Sequence, residues 1–237
     1  MFNETYELKI SGSLSGPDAP KLDTSLKNLI IFLEKNLVVF AETISATGIQ
    51  NEKGLTQALV EILNPSAIKG FYPFWFEKEY MENPERGDSP SVDIGTLKLG
   101  EDDSVINSKL AGNKSFFSIE AKRLPTPGGS KREKEYVIGS KNNGGIERFK
   151  TGRHGSQLKY SGMIGFIQEN DFKYWNNKIN EWIVELTWMD SESDTKWHES
   201  EILRPKHFKR TTAQLISKHE RNNKSNIVLC HLWVKCN

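Results

Sequence analysis

The sequence predicts an α/β fold in which helices flank a central mixed β-sheet. Apolar residues recur at helical spacing in three segments, and they alternate with polar residues at strand spacing in several others. One further short run is apolar throughout. The 237 residues include 36% hydrophobic and 27% charged residues, which is typical of a globular protein with a sizeable core.

Helices are predicted in four places. The first spans about Asp23–Ser45, where a capping group is followed by an apolar stripe. The second spans Asn51–Leu63, and Pro65 is expected to end it. The third is a short helical turn at Gly144–Phe149, and the fourth spans Asp171–Thr187.

The predicted strands are Thr5–Ser11, Phe71–Tyr80, Ser91–Leu99, Ser115–Lys122, Gly162–Ile167, Ala213–Lys218 and Asn226–Lys235. A polar connection joins the third to the fourth, so these two should form a hairpin, as should the last two. The apolar strand Gly162–Ile167 should be covered on both faces. Its glycines, Gly162 and Gly165, predict close approach of another backbone or a ligand.

We expect one domain over residues 1–237. A strand and a helix would form an N-terminal extension over 1–48, and the core would cover 49–187. A C-terminal loop and strand hairpin would cover 188–237, in which Met189–Lys206 is polar and irregular.

The composition predicts a cytoplasmic protein with no membrane partner. No apolar run reaches the ~18 residues that a membrane-spanning helix needs. The N-terminus lacks the basic region and apolar core of a signal peptide. Cys230 and Cys236 lie close together in and directly after the last predicted strand, whose extended geometry keeps them too far apart to bridge easily, so we expect reduced thiols.

The net charge is only +1, but the charges are unevenly distributed. Glu77–Asp103 contains nine acids and three bases, whereas Lys122–Lys159 contains ten bases and three acids. Arg204–Lys224 contains seven bases and one acid. This order fits a metal site beside a phosphate-binding surface. Solvated loops that simply carry charge would give the same pattern.

The strand Ser115–Lys122 ends in Glu120 and Lys122, whose side chains should point to the same face. Charges at the end of an apolar strand are costly to bury without partners. Of four acid-x-lysine triplets in the chain, this one alone follows a strand with an acid, Asp93, and a helix with an early Glu52. The alternative is a surface ion pair, with Glu52 complementing the helix dipole.

This order of residues resembles the PD-(D/E)xK nuclease superfamily. The pattern is Glu52 in a helix, Asp93 in a strand and Glu120-Ala121-Lys122 in the next strand. The resemblance covers about Asn51–Ile167 and implies a restriction-endonuclease-like core. The chain departs from the literal Pro-Asp of the superfamily, because Pro90 precedes Asp93 by three residues.

The resemblance implies a metal-dependent nuclease that hydrolyses phosphodiester bonds, with DNA as the expected substrate. Asp93, Glu120 and the backbone carbonyl of Ala121 would bind Mg²⁺, for which Mn²⁺ should substitute. Glu52 would contact a metal-bound water or a second ion. Lys122 would orient the attacking water or stabilise charge in the transition state.

Basic and polar residues after the lysine are candidates for binding nucleic acid. Arg148 and Arg153 are the main candidates, because guanidinium groups match phosphate geometry. Gln157 and Tyr160 resemble a pair that some superfamily nucleases carry on the helix after the lysine, although local packing is an alternative. The other candidates are Lys131, Arg132, Lys134 and Lys150.

Two other functions remain open at this point. The chain could be a nucleic-acid-binding protein that does not cleave, or a regulatory protein whose charged patches pair between subunits. The intact acid pattern favours the nuclease, and a homodimer would allow cuts in both strands. His154, His219 and His231 lack zinc-ligand spacing, and we expect the last two to be structural.

Overall fold

The computed structural model describes residues 24–85, 90–99, 114–129, 132–140, 143–188 and 195–237. The strands in these residues are β1 (Phe74–Met81), β2 (Ser91–Lys98), β3 (Phe117–Leu124), β4 (Tyr160–Ile167), β5 (Arg204–Phe208), β6 (Thr212–Glu220) and β7 (Asn226–Lys235). They form one seven-stranded sheet in the order β1-β2-β3-β4-β7-β6-β5. The predicted strand Thr5–Ser11 lies outside the described residues.

The sheet is mixed, which confirms the predicted fold class at that level. Strand β3 pairs parallel with β4, and β4 pairs parallel with β7. The other neighbours pair antiparallel, including the two predicted hairpin pairs, β2–β3 and β6–β7.

The helices are α1 (Thr24–Ile44), α2 (Glu52–Lys69), α3 (Gly145–Lys150) and α4 (Phe172–Trp188). Buried side chains of α1 and α2 belong to one core cluster, and those of α4 belong to a second. Strand β4 separates the two, since Ile164 and Phe166 belong to the first cluster while Met163 and Ile167 belong to the second. Because successive side chains on a strand alternate, the helices cover opposite faces of the sheet.

Helix α2 does not end at Pro65 as predicted but continues to Lys69. A proline inside a helix removes one backbone hydrogen bond. The side chain of the preceding Asn64 compensates through tertiary contacts, because it both donates to the Phe76 carbonyl and accepts from the Phe76 amide, each at 2.9 Å. Burial of Leu63 and Ala67 on the same face keeps this last part of the helix against the sheet.

Strand β5 begins within Met189–Lys206, the segment that was predicted to be irregular, and extends two residues beyond it. It is an edge strand with a register shift between Pro205 and His207, and none of its residues is fully buried. Proline is confined to such edges and bulges, because it cannot donate to a backbone ladder. The apolar pattern of this strand is weak, so the sequence did not predict it.

Strand β4 is covered on both faces, as predicted. The prediction for its glycines was wrong about what approaches them. A Cβ atom on Gly162 would lie 2.8 Å from the Phe117 ring, and one on Gly165 would lie 2.4 Å from the Trp233 ring. Aromatic side chains of the neighbouring strands therefore fill the space, and neither a backbone nor a ligand does.

Both cysteines are free, with Cys230 buried and Cys236 half-buried. None of the described helices combines the length and the apolar character needed to cross a membrane.

A chain of polar side chains runs through the second core cluster. The hydroxyl oxygen of Tyr136 lies 2.8 Å from His231 Nδ1 and accepts a hydrogen bond from Trp233 Nε1 at 2.8 Å. The hydroxyl of Ser217 lies 2.7 Å from His231 Nε2 and 2.6 Å from His219 Nε2. All five side chains are buried, so these histidines are structural, as the sequence suggested.

This buried chain should make the fold sensitive to acid. Burial lowers the pKa of His219 and lowers that of His231 well below its ordinary value. Below about pH 6.5 the unfolded chain therefore takes up protons that the folded chain does not, and stability falls as the pH falls. We expect a loss of up to about 1.4 kcal/mol per pH unit for each histidine.

Urea unfolding at pH 7.5, 6.0 and 5.0 measures this slope. The variant His231→Gln should show a shallower decline than the wild type, because one titrating group is removed. The exposed His198 provides the control, and His198→Gln should keep the wild-type slope. Equal slopes in all three proteins would show that the buried histidines do not set the acid limit.

Candidate active site

The site begins where the backbone pairing of β2 with β3 stops. The last paired residues are Ile94 and Ile119. Beyond them, the Asp93 carboxylate takes the place of a backbone acceptor, and its Oδ2 accepts from the Ala121 amide at 2.7 Å. Continuing the register would set Asp93 opposite Glu120, on the same face of the sheet.

Lys122 contacts three residues of the predicted pattern. Its ammonium lies 2.9 Å from Glu120 Oε1 and 3.3 Å from Glu52 Oε1, and it donates to the Ala121 carbonyl at 3.0 Å. The second oxygen of Glu52 accepts from the Arg123 amide at 3.1 Å. Glu52 therefore attaches the beginning of α2 to β3, which helix-dipole complementation alone would not require.

The capping of α2 explains why Glu52 reaches this position. Asn51 is the N-cap residue, and its side chain accepts from the Gly54 amide at 2.8 Å. The first helical residue then projects from a fixed helix end. The Asn51 cap thus fixes the place of Glu52 at the helix end. The packing of α2 against the sheet then brings the Glu52 carboxylate to Lys122.

Glu120 is fully buried at the centre of the site. Its Oε1 contacts both Lys122 and Arg148, whose NH1 donates at 2.5 Å. Its Oε2 lies 3.4 Å from His154 Nε2 and has no hydrogen-bond partner within the described part of the chain. An ionised carboxylate can be buried here because cations compensate its charge.

The charges in the site change one another's pKa values. Burial by itself would raise the pKa of Glu120, but Lys122, His154 and Arg148 lower it to about 2. Burial would lower the pKa of Lys122, but Glu120, Glu52 and Asp93 raise it above its ordinary value. Burial and the neighbouring Glu120 raise the pKa of Asp93 to about 7.

Two residues of this cluster, His154 and Glu82, were not identified from the sequence. His154 is fully buried, and its Nδ1 lies 3.1 Å from the Arg153 carbonyl and 3.7 Å from Glu82 Oε2. Glu82 accepts from the Gly155 amide at 2.9 and 3.1 Å and from the Ser118 hydroxyl. The sequence contained one indication of such partners. Ser118 shares a strand face with Glu120, and a buried hydroxyl there also requires a polar partner.

Gln157 and Tyr160 lie on different elements, unlike the helical pair that they resemble. Neither lies on a helix: Gln157 follows α3 in a loop, and Tyr160 begins β4. Tyr160 packs against the first core cluster, on the face opposite Glu120. Gln157 lines a groove of about 650 Å³ that adjoins the site through Glu82 and Gly155. The other lining residues are Asn83, Pro90, Lys114, Ser115, Thr151, Gly152, Arg153, Ser156 and Leu158.

Lys150 corrects another expectation, because it is buried rather than available to a phosphate. Its ammonium lies 2.6 and 2.7 Å from the two carboxylate oxygens of Glu201 and 4.8 Å from the Trp197 ring centre. The cost of burying this charge is offset by a fully buried partner. Lys150 is therefore part of the core.

The remaining basic candidates lie nearer the surface. Arg153 donates to Asn143 Oδ1 at 3.0 Å and lines the groove. Arg132 forms a two-point ion pair with Glu135, and Lys134 pairs with Glu185. Lys131 lies outside the described residues.

The residues partly fit a metal site. No group of three or more His, Cys, Asp or Glu residues in the described ranges is arranged to hold a metal ion. Mg²⁺, however, keeps several waters and needs only one or two carboxylates. Two candidate donors are Glu120 Oε2, which has no hydrogen-bond partner among the described residues, and the carboxylate of Asp93, whose charge interacts with that of Glu120. The Ala121 carbonyl already accepts from Lys122 but keeps a second lone pair.

The raised pKa of Asp93 leads to a prediction about stability. An unfolded aspartate ionises near pH 4, whereas folded Asp93 ionises near pH 7, so the unfolded state is favoured increasingly between these values. The variant Asp93→Asn keeps an acceptor for the Ala121 amide without the charge. It should be more stable than the wild type, with a gain that grows from pH 4 to pH 7 and is constant above.

Chemical denaturation at pH 4, 6 and 8 tests this expectation. The control is Asp171→Asn, because Asp171 also accepts a backbone hydrogen bond, from the Tyr174 amide at 2.7 Å, but is exposed. The control should show no gain. A variant Asp93→Asn that is no more stable than the wild type at pH 8 would contradict the prediction.

Comparisons of this chain with protein-family models, with curated proteins and with solved structures found no match. The resemblance to the PD-(D/E)xK superfamily therefore rests on the residues of this chain and on their arrangement.

Proposed function

We propose that this protein is a metal-dependent nuclease that hydrolyses phosphodiester bonds, with DNA as its substrate. The observation that carries the proposal is the convergence of Asp93, Glu120, Lys122 and Glu52 from β2, β3 and α2. These residues are distant in the sequence. A surface ion pair would not require a buried carboxylate or the attachment of α2 to the same lysine.

Asp93 and Glu120 are the residues that would hold Mg²⁺. When bound, the ion supplies an acidified water and neutralises charge on the phosphate. Glu120 is already ionised at neutral pH, because its pKa is about 2. Asp93 loses its proton near pH 7, so ionisation of both carboxylates would favour metal binding at neutral to alkaline pH.

Lys122 acts in this proposal as a fixed cation and not as a base. Its pKa is raised by three carboxylates, so its ammonium keeps its proton at neutral pH. A fixed positive charge beside the attacked phosphate stabilises the negative charge that develops in the transition state. Glu52 positions this ammonium through their 3.3 Å contact.

A second candidate is a nucleic-acid-binding protein that does not cleave. The observation that favours it is the double contact on Glu120, where Lys122 and Arg148 both meet Oε1 and neutralise the carboxylate without a metal. Such a protein would bind nucleic acid in a salt-dependent way and leave it intact. Cleavage with a divalent metal distinguishes the two functions.

The direct test is cleavage of plasmid DNA and of labelled DNA and RNA oligonucleotides with Mg²⁺ or Mn²⁺. We expect cleavage of DNA that stops when EDTA removes the metal. Asp93→Ala, Glu120→Ala and Lys122→Ala should each lower the rate by about 10²-fold or more, since each removes charge stabilisation from the transition state.

Lys206→Ala is the matched control for the lysine variant, because Lys206 is exposed on the edge strand β5. It should cleave at the wild-type rate. Circular dichroism would establish that each variant is folded. Wild-type activity in all three site variants would show that the site is wrong, and salt-dependent binding without cleavage would favour the second candidate.

A further inference from the structure

Arg148 occupies an unexpected place for a residue that was predicted to contact nucleic acid. Its guanidinium donates to Glu120 Oε1 at 2.5 Å and lies 3.4 Å from His154 Nε2. Its side chain is 24% exposed, whereas Glu120 has no exposed surface. The guanidinium therefore lies between the buried carboxylate and solvent.

The two cations on Glu120 are not equally held. Lys122 contacts a second carboxylate, Glu52, and the Ala121 carbonyl. Among the described residues, the one carboxylate that Arg148 contacts is Glu120. A divalent ion on this carboxylate would bring a further positive charge within a few ångströms of both cations. Arg148 has fewer contacts to lose and is the one open to solvent, so it is the cation that the ion would displace.

A displaced Arg148 would lie near the groove. Its helix, α3, is followed directly by residues of the groove wall, including Thr151 and Arg153. A guanidinium can bind two oxygens of a phosphate at once, which a lysine cannot do with the same geometry. The residue that leaves Glu120 would thus be suited to contact the phosphodiester.

We propose that Arg148 is an electrostatic latch that pairs with Glu120 in the metal-free protein and releases it when a divalent ion binds. The released guanidinium then positions the phosphodiester beside the ion. This inference rests on the proposed nuclease function and adds a positioning residue to it. The ion would bind Glu120 Oε2, and its positive charge would repel the guanidinium on Oε1, so removing the guanidinium should tighten metal binding.

The experiment is calorimetric titration of Mn²⁺ into the wild type, Arg148→Gln, Arg148→Lys and Arg204→Gln. Arg148→Gln should bind Mn²⁺ at least about fivefold more tightly than the wild type, at the lower end of ordinary coupling between sites. Arg148→Lys keeps the charge and should lie between the two. Arg204 is exposed on β5, at the far edge of the sheet, so Arg204→Gln should match the wild type.

A second measurement follows the wild type itself and uses a variant only to assign one signal. The Nε–Hε signal of Arg148 in nitrogen-15 spectra of the wild type, assigned by its absence in Arg148→Lys, should shift as Mg²⁺ is added. The corresponding signal of Arg204 should not shift. An unchanged Arg148 signal at saturating Mg²⁺ would overturn the latch.

Mn²⁺ binding distinguishes failure of the latch from failure of the proposed metal-dependent function. Equal or weaker Mn²⁺ binding by Arg148→Gln, with clear binding by the wild type, would overturn the latch and leave the proposed metal site intact. If neither the wild type nor any variant binds Mn²⁺ at millimolar concentration, the metal-dependent function itself fails, and the latch fails with it.

Discussion

The buried carboxylate of Glu120 is the constraint on which the candidate site depends. It has no exposed surface, and an ionised group in that environment requires compensating charge. Lys122 comes from the same strand, Arg148 comes from α3, and His154 lies in the loop beyond that helix. Through these contacts, Glu120 connects β3, α3 and the groove wall. The same acid raises the pKa of Asp93 and so links the two carboxylates.

Helix α3 can present Arg148 because tertiary contacts stabilise it. It has six residues, and an isolated helix of that length is marginal in water. Near its beginning, the Glu147 carboxylate accepts from the Gly139 amide at 3.1 Å, and at its end Lys150 forms the buried pair with Glu201. Phe149 of the same helix is also fully buried. Lys150, which was expected to bind nucleic acid, instead stabilises α3, the helix that carries Arg148. The position of Arg148 in the site therefore depends on a buried ion pair in the core.

The interruption of the sheet between β2 and β3 gives the site its chemical character. A continuous ladder would pair the Ala121 amide with a backbone carbonyl, whereas here the amide is bound by the Asp93 side chain. At the strand end, a carboxylate therefore accepts the hydrogen bond that a backbone carbonyl would accept in a continuous ladder. Lys122 and Arg148 balance these charges within the protein itself. Binding of a divalent ion would add positive charge to the site, and in the proposed latch Arg148 is the cation that moves away.

The sequence by itself determined the elements and the local part of the site. Apolar periodicity predicted α1, α4 and most strands, and strand alternation predicted that Glu120 and Lys122 share a face near Asp93, because such patterns act over a few residues. It could not show that α2 passes through Pro65, that β5 exists, or that Lys150 is buried. The tertiary structure alone decided that Arg148 and His154 are partners of Glu120, because they come from segments whose proximity to β3 depends on how the sheet assembles. Residues far apart in the chain meet only after the whole sheet has assembled, and no local pattern records that meeting.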